Sequence, residues 1–135
     1  MLEKAEYLLS VERGTVFKDP GGKINIALAY PNTYSVGMSS LGFQRIYRLL
    51  NSFEDVVCER VFLPSPGDID EYDRTRSELF SLESKRSLTR FDIVAFSVSF
   101  ENDYPNILKM LRMAHIPVRS SERRGPRLYR AIWGL

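Results

Sequence analysis

Cysteine and histidine are almost missing from this 135-residue sequence, which holds one of each, Cys58 and His115. A single cysteine excludes an internal disulfide and any metal cluster built from several cysteines of one chain. It suits a reducing compartment, so the cytoplasm is the expected location. Cys58 stands between Val57 and Glu59 in an apolar run, where a small buried hydrophobe is expected and not a nucleophile. Long hydrophobic runs are also lacking: no stretch approaches the roughly 18 apolar residues of a membrane span. The start, Met-Leu-Glu-Lys, has no secretory pattern. Neither charge sign dominates, with 19 basic against 17 acidic residues. The basic excess gathers in residues 112–135, which hold six Arg and one Glu. Beyond Tyr129 and Trp133 that stretch has no interleaved aromatics and no nucleic-acid motif, so nucleic acid is not an expected partner.

The chain does contain an alternation of short apolar runs with helical stripes. Residues 1–16 carry mixed helical spacing (Leu2, Ala5, Leu8, Leu9) and predict a short helix or arm. The turn Asp19-Pro20-Gly21-Gly22 separates it from the first apolar run. This divides the chain into an N-terminal arm, residues 1–22, and one domain, residues 23–135. Residues 23–30 read as a buried strand that Pro31 stops. Residues 32–37 read as a polar loop, and Ser39 or Ser40 as the N-cap of a helix to about Leu50. Its expected stripe is Leu41, Ile46, Leu49 and Leu50 with Phe43 and Tyr47, and Asn51 is expected to end it in the left-handed conformation. Residues 56–63 predict a second strand, residues 68–80 an exposed acidic helix, and residues 79–84 a small strand or turn. Residues 91–100 are too apolar for a sheet wet on one face and predict a central parallel strand. A helix is expected over residues 101–114, with Ile107, Leu108, Met110 and Leu111 inward. Residues 116–118 begin another strand, 120–126 form a charged loop, and 128–133 suit a last strand. The order is that of a doubly wound α/β domain with a mostly parallel sheet flanked by helices, which is Rossmann-like.

Ligands of such sheets sit beyond the carboxyl ends of the strands, where the strand order reverses. That rule selects residues 31–40 and 97–104. In the first loop, Gly37 and Gly42 near a helix start could present amides to an anion. Pattern alone favours instead a tight turn for Gly37 and close helix-to-sheet packing for Gly42. There is no Gly-x-Gly-x-x-Gly spacing and no Walker lysine. In the second loop, Ser97 and Ser99 are expected on one side of the strand end, with Glu101 to Asp103 at a helix start. These residues either bind a polar ligand or cap the helix. His115, at a helix end, is expected to cap carbonyls. Asp68, Asp70, Glu71 and Asp73 lack the Gly and distal Glu of a calcium loop and read as a solvated face. No catalytic set emerges.

Several ordered segments carry a family resemblance: ALAYPNTYSVGMSSLGFQRIYRLLN (27–51), VVCERVFLP (56–64), SLES (81–84), FDIVAFSVSFENDYPNILKML (91–111) and IPVRSSER (116–123). Together they resemble the N-terminal, cobalamin-binding-like domain of radical S-adenosylmethionine (radical SAM) proteins, iron–sulfur oxidoreductases. The resemblance implies a Rossmann-like domain that precedes a barrel-like catalytic domain. That later domain would carry a Cys-x3-Cys-x2-Cys motif holding a four-iron four-sulfur cluster that binds S-adenosylmethionine. With one cysteine the present chain cannot supply that motif, so it is expected to be cut off before the catalytic domain and inactive alone. Cobalamin domains carry Asp-x-His-x-x-Gly after the first strand, and here the pattern falls on Asn32, Tyr34 and Gly37. Cobalamin would then bind without a histidine ligand, because a phenol is a poor cobalt ligand beside imidazole. The implied cofactor- or substrate-holding residues are Asn32, Tyr34, Gly37, Met38 and Ser39, with Ser97, Ser99 and Glu101. The implied partner is the catalytic domain. The alternative is a protein–protein or homodimerisation module that binds no cofactor.

Overall fold

The computed structural model describes residues 1–123 and the backbone of residues 131–132. Helix α1 (Leu2–Val11) precedes β1 (Ile24–Tyr30). Helices α2 (Tyr34–Met38) and α3 (Leu41–Asn51) lead to β2 (Val56–Phe62), α4 (Pro66–Thr75) and β3 (Ile93–Phe96). Helix α5 (Tyr104–Met113) and β4 (Ala131–Ile132) complete the order. The sheet runs β2-β1-β3-β4, and every neighbouring pair is parallel. The chain therefore winds outward from β1 to β2, then returns past β1 to β3. The strand order reverses between β1 and β3, as a doubly wound α/β sheet requires.

Strand residues alternate faces, and here both faces are covered. Ala27 and Ala29 of β1 join a core with Tyr72 of α4 and Ile107, Met110 and Leu111 of α5. Leu28 and Tyr30 join a second core with Phe43 and Tyr47 of α3. This double burial explains the nearly unbroken apolar run of β1. Ser40 caps α3 as expected, its hydroxyl accepting from the Phe43 amide.

Several sequence expectations change. Residues 34–38 are not loop but a short helix. Gly37 lies in that helix, buried, where an added Cβ would stand 2.5 Å from the Phe62 ring. Close packing thus belongs to Gly37 and not to Gly42, whose nearest neighbour for a Cβ is Ser40 Oγ at 3.9 Å. The buried positions of α3 are Phe43, Tyr47 and Asn51, while Leu41 and Leu49 are exposed. On α5, Leu108 is likewise exposed. Strand β3 keeps only four residues of the expected ten, because beyond Ser97 the chain leaves the sheet for the 3-10 turn Glu101–Asp103. Residues 116–118 form no strand: His115 takes a φ of 57°, and Ile116 tucks into the core beside α5. The His115 side chain faces Glu78 at 3.3 Å, and among the described residues it caps no carbonyl. Of the expected strand over 128–133, residues 131 and 132 pair with β3, and the remainder lies outside the described residues.

Asn51 does not end α3 in the left-handed conformation; Ser52 ends it in right-handed geometry. The Asn51 side chain instead donates to the Cys58 carbonyl and accepts from the Cys58 amide, both at 3.0 Å. Other outer groups of β2 are met similarly. Lys18 donates to the Val56 carbonyl, Glu83 accepts from the Arg60 amide, and the Leu82 amide donates to the Arg60 carbonyl. An edge strand presents backbone groups that invite another chain. Here side chains and one loop amide occupy them. Replacing Asn51 with Ala removes two bonds from a buried strand and should cost about 1–3 kcal/mol in urea unfolding. Unchanged stability would mean that the Cys58 groups find other partners.

Candidate functional site

Two charged residues, Glu59 and Arg60, stand in the middle of β2, 3% and 2% exposed. A buried charge is tolerated only when paired and hydrogen-bonded. Consecutive strand residues face opposite sides, so the two need separate partners. The segment 81–84 serves both. Glu83 receives the Arg60 Nε at 3.0 Å and the Arg60 amide at 3.0 Å. The Ser81 and Ser84 hydroxyls donate to Glu59 at 2.7 and 2.6 Å, and Arg86 pairs with its other oxygen at 2.7 Å. Segments 56–64 and 81–84, separate in the sequence, are thus one interlocked unit.

Arg60 also reaches the end of α1. Its Nη1 donates to Glu12 Oε2 at 3.2 Å, and its Nη2 pairs with Glu12 Oε1. Glu12 further accepts from the Tyr34 hydroxyl at 2.5 Å and from the Thr15 hydroxyl. The Tyr47 ring lies 4.5 Å from the guanidinium carbon, a cation–π contact. Burial alone would raise the Glu12 carboxyl, but the hydrogen bonds from Arg60, Thr15 and Tyr34 prevail and hold it below its ordinary value. Glu59 is held low similarly, with Ser84, Ser81 and Arg86 outweighing burial. Glu83 moves the other way, because burial raises it despite its pairing with Arg60. Burial and the bond to Glu12 push the Tyr34 phenol up to about 12. Burial pushes the Cys58 thiol upward, which leaves it a weak nucleophile.

A cavity of about 410 Å³ lies between α1, the start of α2 and the carboxyl end of β2. Its lining is largely apolar, with Leu8, Phe62 and Leu79 among it. Tyr34 and Arg60 supply polar groups on its wall. Lys4 and Asp68, which also line it, pair at 2.9 Å. The cavity therefore lies one strand away from the β1/β3 reversal that the sequence singles out.

The expected site residues are not brought together in one place. Tyr34 lines the cavity and Met38 packs its sulfur 3.6 Å from Arg60 Nη1. Gly37 carries no ligand-facing surface, since Phe62 and Tyr30 fill the space at its Cα. Asn32 joins the two loops at the reversal point: its Nδ2 donates to Asp103 Oδ1 at 3.0 Å. Asn106 of α5 ties the same place by donating to the Pro31 carbonyl. Ser39 is exposed and donates to the Ser35 carbonyl. Ser97 is buried, whereas Ser99 and Glu101 are exposed, so the two serines do not share one environment. The residues missed from the sequence are Arg60, Glu12 and Glu83. A Glu-Arg pair inside a strand expected to be buried is the available signal.

These residues do not fit a cobalt ligand set. Tyr34 is protonated near neutral pH and committed to Glu12, and the glycine groove is filled by Phe62. Among the described residues, no group of three His, Cys, Asp or Glu side chains is placed to hold a metal ion, and no helix is long and apolar enough to cross a membrane.

Arg60 and Glu12 can each be tested by substitution. Arg60→Ala strands two buried carboxylates and should cost about 3–5 kcal/mol in urea unfolding. A depressed folded-state carboxyl contributes stability that is present above its ordinary value of 4.5 and is lost as pH falls through the lower folded value. The thermal midpoint should therefore fall on acidification below pH 4.5, and the fall should be shallower in Glu12→Gln. Equal slopes in the two proteins would remove Glu12 from this role.

The family model for radical SAM proteins, N-terminal, matches residues 42–127. No curated protein and no solved structure matches the chain. The matched region runs from α3 through α5 and includes both halves of the Glu59–Arg60 lock. It spans more than half of the sequence, and the chain belongs to the family of N-terminal regions of radical SAM proteins.

Proposed function

We propose that this domain holds a small organic ligand for a radical SAM catalytic domain and performs no bond chemistry itself. The observation that carries this reading is the largely apolar cavity of about 410 Å³ at the carboxyl end of β2. That volume lies in the range of small-molecule sites, which pair apolar walls with a few placed polar groups. Tyr34 and Arg60 are such groups here. These groups are committed to partners: Arg60 pairs with carboxylates, Tyr34 donates to Glu12, and Lys4 and Asp68 of the lining pair with each other. A small ligand accords with the lining better than a corrin does, since no imidazole faces the cavity and its volume is modest. The catalytic cluster and S-adenosylmethionine belong, in this reading, to the partner domain.

A second reading, a dimerisation module, draws on one observation. Tyr104 and Leu108, one turn apart on α5, and Phe100 just before it are all exposed large hydrophobics. Self-association through this strip would be lost in Phe100→Ser with Leu108→Ser, as read by sedimentation velocity.

The cavity is tested with 4-phenylbutan-1-ol as a neutral probe, followed by amide chemical shifts. Saturable binding that perturbs Leu8, Phe62 and Leu79 is expected. Ala5→Trp, which fills the cavity from α1, should abolish it. No saturable binding to the wild-type chain would overturn the ligand-holding reading. Hydroxocobalamin, followed by absorbance, should show no spectral shift, and a clear shift would restore a corrin.

A further inference from the structure

The groups around Glu12 form a carboxylate receptor whose parts belong to different elements. Arg60 of β2 offers two guanidinium nitrogens in a fork, and Tyr34 of α2 adds a hydroxyl. Paired donation from guanidinium is the arrangement that recognises carboxylates with the most geometric selectivity. The occupant, Glu12, comes from the arm at the end of α1.

Residues 16 and 18 of that arm are anchored, the Val16 amide donating to the Tyr47 hydroxyl and Lys18 to the Asn51, Phe53 and Val56 carbonyls, but α1 is lightly packed. Ala5 is its one buried residue, while Leu2, Tyr7 and Val11 are exposed. Two ion pairs tie α1 to the domain, each with its α1 member exposed, Lys4 with half-buried Asp68 and Glu6 with half-buried Lys85. Such pairs contribute little and weaken with salt. Arg60, by contrast, does not depend on Glu12 for neutrality. Glu83 already pairs with it at 3.0 Å, so one guanidinium faces two carboxylates. A carboxylate from elsewhere could replace that of Glu12 without changing the charge balance of the buried cluster.

Arg60 and Tyr34 line the cavity as well as holding Glu12, and Leu8 places α1 along the same cavity. We infer that Glu12 is an internal stand-in for the carboxylate of the domain's ligand, an organic acid whose apolar body fills the cavity beneath α1. The arm and the ligand then compete for one receptor. This inference rests on the ligand-holding reading and adds to it the ligand's chemical class and the role of the arm.

The test compares 4-phenylbutyrate with 4-phenylbutan-1-ol on the wild-type chain and on Glu12→Ala. Affinities are read by isothermal titration, and folding by near-ultraviolet circular dichroism. The acid should bind Glu12→Ala about tenfold or more tighter than wild type, the gain of one charge-assisted contact. The alcohol should bind both proteins equally. Adding Tyr34→Phe to Glu12→Ala should weaken the acid several-fold and leave the alcohol unchanged. If Glu12→Ala does not fold, Glu12→Gln takes its place with the same expected preference for the acid. Alcohol binding with no gain for the acid would overturn the carboxylate receptor while leaving the cavity reading intact. An equal gain for both compounds would also overturn it, because the arm would then act by steric cover alone. Binding of neither compound to either protein would remove both readings.

Discussion

Arg60 is a permanent cation inside a strand covered on both faces, and the surrounding structure is arranged to match it. Taking such a group out of water costs several kcal/mol unless geometry and counter-charge restore it. Glu83 supplies the first counter-charge and, in doing so, pins segment 81–84 along the outer edge of β2. Glu12 supplies the second and brings the end of α1 over the carboxyl end of the sheet. Tyr47 covers the guanidinium from α3, and Tyr34 completes the coordination of Glu12 from α2. One side chain thus fixes the positions of four segments that are distant in sequence, and it forms part of the cavity wall.

The same region resolves the problem of the sheet edge. β2 is an outer strand, yet the outer backbone groups of Val56, Cys58 and Arg60 are bonded to Lys18, Asn51, Glu83 and the Leu82 amide. Glu83 therefore serves two ends, neutralising Arg60 and accepting the strand amide. Glu59, facing the other way, holds Ser81, Ser84 and Arg86. Cooperative polar networks of this kind add rigidity when every member is satisfied. A rigid edge beside a lightly packed α1 is a suitable setting for a site that must open on one side and keep its shape on the other. The residues that match the N-terminal family of radical SAM proteins, 42–127, include Arg60 and Glu83.

Much of the fold is legible in the sequence because periodicity reports burial directly. Residues 23–30 and 56–63 match their strands within one residue, since the first run is bounded by Gly22 and Pro31 and the second is stopped by Pro64. Ser40 is readable as a cap because a hydroxyl before a helical stripe has a specific backbone partner. The α3 stripe is less legible. Phe43 and Tyr47 are buried as expected, but Leu41 and Leu49 are exposed, and Asn51 joins the buried face because it gains two backbone bonds there. Gly37 is obscure for a related reason. Its requirement comes from the Phe62 ring, which is remote in sequence, and not from its own φ.

The site divides along the same line. Sequence by itself determined the α/β order, the parallel sheet, the reversal between β1 and β3, and the incapacity of one cysteine to hold the family's cluster. These come from local pattern and composition, which each residue carries with it. Only the tertiary structure decided that Glu12, Tyr34, Arg60 and Glu83 meet, and that the cavity opens beside β2 and not at the reversal point. Pairing of buried charges is a long-range condition. The sequence announces that Arg60 needs partners, but which carboxylates reach it depends on how α1 and segment 81–84 fold back across the sheet.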